Sequence, residues 1–475
     1  MIRWCNIINK LLKHEWAAWL IAALLYYISL SCFRYTWVFA SGDSGDWLAS
    51  AKIWFVPQPF GSPLYITLAH TIGLIGGNLA KNMTFWLSCL PSAITIALVF
   101  QSVKNITNKV SLARISVLIC LGACVLTSQS IIIEEYALAV MLLSASILFY
   151  TSYHKHWAVI FIGLACAVHI IVFPIAFVFM VSQYKEWRYW IKRIPLFLLF
   201  AVLPYGLILF LMYADTPRWI AGSLSLQSFN SYLGSTSTIG KLAIVEAPQR
   251  IVYLIAFIVG TFGIAIIPAI RYGISHRKYT LSMMLFLTSC LSWWLYLTDT
   301  DWTTWTFTIY AVPCIAILAS LGLKHSYRIE RILVVCSSIV LIICNMFLCN
   351  ANQLDKANPI AAELYSETMG LPDGSYILTS KGGFYTLGIL HAIADGKNII
   401  PIFLSEPKTE TDYGYKEWLE WVRKEYGIIG DNSIDIVENS SVRVFYVDTE
   451  YMNDWSEVYV FKEYGLVYKE VMGIK

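Results

Sequence analysis

Nine stretches of this 475-residue chain are apolar over close to twenty residues, near 16–39, 83–101, 111–128, 136–152, 190–213, 251–270, 280–297, 305–322 and 331–349. A helix that crosses a bilayer needs about 20 predominantly apolar residues, with its amides satisfied within the segment because no water reaches them. So many long apolar runs do not fit a soluble core, and the fold class expected is a polytopic α-helical membrane protein. Composition agrees: 57% of residues are hydrophobic, 14% are charged and mean hydropathy is +0.61. The lipid bilayer is the first partner implied, and no feature points to nucleic acid.

Charge placement sets the expected topology. Arg3, Lys10 and Lys13 precede a long apolar run from Trp16 with no small-residue cleavage site, which reads as an uncleaved first spanning helix. The stretch 157–181 is either one helix or two short helices turning near His169. With the turn, the segments on the N-terminal side hold 17 Lys and Arg, against six in the opposite loops before residue 350. The positive-inside tendency therefore favours the turn, giving about 11 membrane helices, a cytoplasmic N-terminus and an extracytoplasmic C-terminus.

Hydropathy collapses after Asn350. Residues 1–349 are read as the membrane domain, with long outer loops at 40–82 and 214–250, and residues 350–475 as a small extracytoplasmic α/β domain with 20 Asp and Glu against 11 Lys and Arg. Strands are expected at 375–380, 398–404, 442–447 and 458–461, and helices at 384–394 and 415–426. The 11 cysteines all lie at or before Cys349, nearly all inside apolar runs, so no disulfide framework is visible. The apolar piece Leu64 to Ile75 is too short to span and is expected to lie along the interface.

The candidate chemistry collects in the outer loops. Asp43 and Asp46, in Gly42-Asp43-Ser44-Gly45-Asp46, are spaced so that a helix or turn puts both carboxylates on one face, where they could divide the roles of general base and orienting partner. Asp43 and Ser44 equally fit the cap of a helix starting near Trp47. Pro57-Gln58-Pro59-Phe60-Gly61-Ser62-Pro63 fixes three φ angles within seven residues and makes a stiff loop. Glu134 and Glu135 begin one helix, and Asp299 and Asp301 precede another beside Trp302 and Trp305.

The order of these pieces resembles the protein O-mannosyltransferase-like family of the GT-C superfamily, whose members read GDSGE followed by a PHPPGYPLY-type loop. Glu134-Glu135-Tyr136-Ala137-Leu138 is similar to the family's EVYAL helix start. The run Gly163-Leu164-Ala165 to His169 is similar to its small-residue run ending in His, and Leu371 to Thr379 to its lumenal or periplasmic segment. Departures are Asp46 for Glu, Gln58 for His, Phe60 and Ser62 for Pro and Tyr, and Glu135 for Val.

The resemblance implies a glycosyltransferase that moves a sugar, mannose being the family's own, from a polyprenyl-phosphate-linked donor to a hydroxyl of a protein or glycan acceptor. It assigns Asp43 as base, with Asp46 and Glu134 as its catalytic companions. For the departing phosphate the candidate cations on the outer side are Arg250, Arg218, Lys52 and Arg34, Arg250 leading and Arg218 following because the Arg fork can grip phosphate bidentately. His169 either reaches that phosphate or caps the turn, and Gln58, Tyr65 and Glu135 complete the expected substrate-binding set. No cofactor is called for, and two carboxylates supply too few oxygens to indicate a divalent metal. The other functional readings are a transporter or flippase of a lipid-linked saccharide and a noncatalytic scaffold; clustering of the acids on one side, with almost none inside the helices, favours surface chemistry over passage.

Overall fold

The computed structural model describes residues 14–31, 44, 47–48, 51, 62–75, 79–182, 188, 191–215, 255, 257–297, 302–348, 359–379, 392, 395–403, 444–447 and 468–470. Among them the membrane part is helical throughout: α1 (Glu15–Ser31), α2 (Pro63–Ile75), α3 (Leu79–Thr107), α4 (Val110–Gly122), α5 (Cys124–Ser130), α6 (Tyr136–Thr151), α7 (Lys155–Val168), α8 (Val172–Ser182), α9 (Ile194–Asp215), α10 (Phe257–Ser275), α11 (Thr280–Leu297), α12 (Ala311–Leu323) and α13 (Arg328–Leu348). Four of the described helical runs are long and apolar enough to cross a bilayer, or five if α4 and α5 form one bent span, and six more are shorter apolar helices. The fold is that of a multi-pass membrane protein.

Lipid tails are as apolar as leucine, so helices in a bilayer associate through close packing rather than through exclusion of water. The centre of the bundle follows that rule. Every residue of α12 is buried, and four of its thirteen are Ala or Gly. Gly322 permits a close approach, because a Cβ there would collide with the Pro268 carbonyl oxygen of α10. Burial separates the centre from the rim: 94% of the Thr306–Leu323 span is buried, against 17% of Arg328–Phe347. α13 accordingly leaves Val340, Ile343 and Phe347 exposed, as a lipid-facing helix should.

Two irregularities have identifiable causes. Proline at the second position of the run from Leu90 supplies no N–H to the preceding turn, and the helix relaxes there into a π turn, Thr84–Cys89, in which the Leu90 amide bonds to the Phe85 carbonyl. Between α4 and α5 the axis bends by 66° at Ala123. The carbonyls released by this break find a partner in α13, where Asn345 Nδ2 donates to the Gly122 oxygen at 3.0 Å and to that of Leu121 at 3.4 Å.

The hydrogen bonds also fix the direction of the chain through 157–181. His156 Nε2 lies 3.0 Å from Arg193 Nη2, and Tyr205 Oη donates to the Cys166 carbonyl at 3.1 Å. The start of α7 thus meets the start of α9, and the end of α7 meets the middle of α9, so the two run parallel. The intervening chain, including α8, must turn back after His169, in line with the two-segment reading.

One end of the bundle is basic. There Arg114 pairs with Glu15, Arg271 bonds to Ser326 and Glu330, Asn105 joins Ser152, and Ser320 links the end of α12 to Leu112. The opposite end gathers Ser44, Trp47, α2, residues 130–135, His169 and Tyr310, and it carries the candidate site.

Beyond the bundle, α14 (Pro359–Gly370) leads into a four-stranded sheet of β1 (Ser375–Thr379), β2 (Ile399–Phe403), β3 (Val444–Val447) and β4 (Tyr468–Glu470), in the order β2-β1-β3-β4. β1 pairs parallel with β2 and β3, and β3 pairs antiparallel with β4. Three expected strands coincide with β1, β2 and β3; β4 was not expected, and the expected strand at 458–461 lies outside the described residues, as do most of helix 384–394 and all of 415–426.

Candidate functional site

Residues 131–135 join α5 to α6 without helical bonding, so the carbonyls at the end of α5 need partners from elsewhere. They receive them from two other segments. Ser88 Oγ, on the π turn, donates to the Ile132 carbonyl at 2.5 Å, and Cys89 Sγ bonds to that of Ser130 at 3.2 Å. Ser44 Oγ, from the first motif, donates to the Ile133 carbonyl at 3.1 Å, across 89 positions of sequence. The Ser44 hydroxyl is therefore engaged with the 131–135 segment rather than with a helix terminus of its own.

That segment presents two carboxylates inside the protein, Glu134 at 4% exposure and Glu135 at 0%. A buried carboxylate must be met by donors or opposite charge, or it would give up its ionised form. Trp47 Nε1 donates to Glu134 Oε2 at 3.1 Å. The indole is in turn packed edge-on against Tyr65 of α2, with ring centroids 5.0 Å apart, and both rings are fully buried. α2 approaches Ala51 closely at Gly73, where a Cβ would collide with the Ala51 carbonyl oxygen.

Glu135 faces the other way. Its Oε1 stands 3.5 Å from His169 Nε2, and His169 Nδ1 lies 3.0 Å from the hydroxyl of Tyr310. The imidazole is enclosed by the rings of Tyr136, at 4.9 Å, and Phe307, at 6.0 Å. His169 also closes α7, its amide bonding to the Ala165 carbonyl. The side chain that sequence left between a phosphate contact and a turn cap is thus committed to a carboxylate and a phenol.

Of the expected site residues, the structure brings Tyr65, Glu134, Glu135 and His169 into one buried cluster. Arg34, Asp43, Asp46, Lys52, Gln58, Arg218 and Arg250 lie outside the described residues, as do Asp299 and Asp301. Ser44 and Trp47, the sequence neighbours of Asp43 and Asp46, are seated directly on residues 133 and 134. Sequence reasoning missed Trp47 and Tyr310: the first follows Asp46 immediately, whereas nothing local marks the second, which meets His169 from 141 positions away. Among the described residues no group of three or more His, Cys, Asp or Glu is placed to hold a metal ion.

No family model matches the sequence, and no curated protein matches it. Solved structures do. ArnT from Cupriavidus metallidurans bound to undecaprenyl phosphate superposes with a TM-score of 0.61 over 92% of this chain and 94% of that one, at 10% identity. The chain shares the ArnT fold. The apo state of the same protein gives 0.57 at 9% identity over the same shares. The ArnT likeness runs nearly the length of both chains, so it is not confined to a few helices of the bundle.

Proposed function

We propose that the protein is a GT-C-type glycosyltransferase that moves a sugar from a polyprenyl-phosphate-linked donor to a hydroxyl of a protein or glycan acceptor, mannose being the sugar the family resemblance favours. The observation that carries the reading is the seating of the first motif, through Ser44 and Trp47, on the segment that bears the buried pair Glu134 and Glu135. Both pieces are among those through which the sequence resembles the protein O-mannosyltransferase-like family. The ArnT fold supports the donor class, since that protein was captured with undecaprenyl phosphate, a polyprenyl phosphate.

In the proposed reaction the Asp43 carboxylate takes the proton of the acceptor hydroxyl as its oxygen attacks the anomeric carbon. The carbon–oxygen bond to the phosphate breaks, and the polyprenyl phosphate leaves with the bonding electrons. Asp46 and Glu134 orient the reacting groups, and Arg250, Arg218, Lys52 and Arg34 are the candidates to meet the phosphate charge. The site belongs to the end of the bundle opposite its basic residues, which the positive-inside tendency assigns to the outer face.

The test is turnover of a panel of polyprenyl-phosphate sugars by the purified protein, with and without a chelator. Asp43→Asn is expected to abolish transfer while leaving expression and membrane insertion intact. Transfer at the normal rate by that variant would sink the assignment.

A further inference from the structure

The contacts of His169 contain more than a packed histidine. Its two ring nitrogens have different partners, a phenol on Nδ1 at 3.0 Å and a carboxylate oxygen 3.5 Å from Nε2, and all three side chains are buried. A neutral imidazole carries one proton. With that proton on Nε2, the N–H faces the Glu135 carboxylate, and the lone pair of Nδ1 accepts from the Tyr310 hydroxyl, which is the better donor. With the proton on Nδ1, the lone pair of Nε2 would face the carboxylate, an electrostatic mismatch made worse by the low local dielectric. Geometry therefore selects the first tautomer, the carboxylate favouring a proton on Nε2 and the Tyr310 hydroxyl favouring a bare Nδ1 that can accept from it.

The consequence reaches the candidate site through one peptide link. Glu134 and Glu135 are consecutive and face different neighbours: Glu134 accepts from the indole of Trp47, and Glu135 Oε1 stands 3.5 Å from the imidazole of His169. Fixing the second side chain fixes the backbone that aims the first. We propose that Tyr310 is a positioning residue that, by donating to His169 Nδ1, keeps the proton on Nε2, facing Glu135, and so helps to keep Glu134 against the first motif. This rests on the glycosyltransferase reading for its effect on rate, but not for its effect on the imidazole. The arrangement is a relay of three residues drawn from α7's end, the 131–135 segment and the start of α12, which no run of sequence brings together.

The experiment uses the full-length protein in detergent with 15N-labelled histidine, the His169 signals being identified by their loss in His169→Gln. The wild type is expected to show the Nε2–H tautomer at His169, and Tyr310→Phe, which keeps the ring and removes only the hydroxyl, is expected to shift the tautomer balance. An Nδ1–H tautomer or an imidazolium in the wild type, or an unchanged balance in Tyr310→Phe, overturns the proposal. In donor turnover, Tyr310→Phe is expected to lower kcat about tenfold, the usual loss when a group that orients a functional side chain is removed, with KM changed by less than about twofold. An active wild type with a fully active Tyr310→Phe also overturns it. Failure of the wild type to turn over any donor would instead count against the glycosyltransferase reading, and the tautomer measurement would then decide the role of Tyr310 by itself. A Tyr310→Phe protein that does not remain monodisperse is replaced in both arms by Tyr310→Leu, which also removes the hydroxyl and leaves the His169 signals observable, with the same supporting and overturning results.

Discussion

Adjacent buried glutamates are a costly thing to place inside a membrane protein; here Glu134 accepts from the Trp47 indole, and Glu135 stands 3.5 Å from His169 Nε2. Trp47 donates a neutral N–H to Glu134, a hydrogen bond that needs only an acceptor oxygen. Glu134→Gln keeps an oxygen to accept from Trp47 and removes the charge. Donor turnover is expected to fall by roughly 100-fold or more, in the range associated with loss of a charged catalytic group, while the midpoint of thermal unfolding in detergent stays close to the wild type. A stable variant with unchanged turnover would remove Glu134 from the machinery.

At the scale of the element, the bundle places its irregularities where the site is. The π turn in α3 directs Ser88 and Cys89 at the carbonyls of 130–132, and the bend after α4 brings α5 across to deliver that same segment. Straight helices in both places would carry residues 131–135 away from Ser44 and Trp47. Asn345 is the side chain that makes the bend tolerable, because it donates to the two carbonyls the break exposes. Asn345→Leu preserves volume but removes those donors. It is expected to lower stability by about 1 kcal/mol, the scale of interhelical hydrogen bonds in membranes, read as a reduced midpoint in a detergent thermal shift. Turnover is expected to fall with it, because the same bend places Glu134.

At the scale of the whole molecule, charge and chemistry occupy opposite ends. Arg114, Arg193 and Arg271 lie at one end, and the buried acids, the first motif and α2 lie at the other. With the positive-inside tendency this predicts an orientation that vesicles can test. A cysteine replacing Tyr327, 87% exposed at the basic end, is expected to react with an impermeant maleimide in inverted vesicles only. One replacing Asp373, whose side chain is 69% exposed before β1, is expected to react in right-side-out vesicles only. The reverse pattern would put the site on the cytoplasmic face and rule out the proposed acceptor geometry.

Most of the helices were legible in the sequence because each is a local property: apolar residues sustained over a span's length allow little besides a helix in lipid. The turn at His169 was legible for a different reason, since the distribution of Lys and Arg is a global constraint that a single slipped helix would violate, and the parallel run of α7 and α9 agrees with it. The 66° bend was not legible, because it depends on a partner supplied by another helix, and the π turn was not read although Pro91 is its local cause. In the candidate site, Tyr65, Glu134, Glu135 and His169 were singled out from motifs, yet sequence could not say which would touch. Sequence alone determined that this chain is a multi-pass membrane protein with carboxylates gathered between its spans. Tertiary structure decided that Ser44 and Trp47 rest on 133 and 134, and that His169 joins Glu135 to Tyr310. Those contacts close over 34 to 141 positions of chain, and at that separation only the packing of the bundle, not local preference, sets which side chains meet.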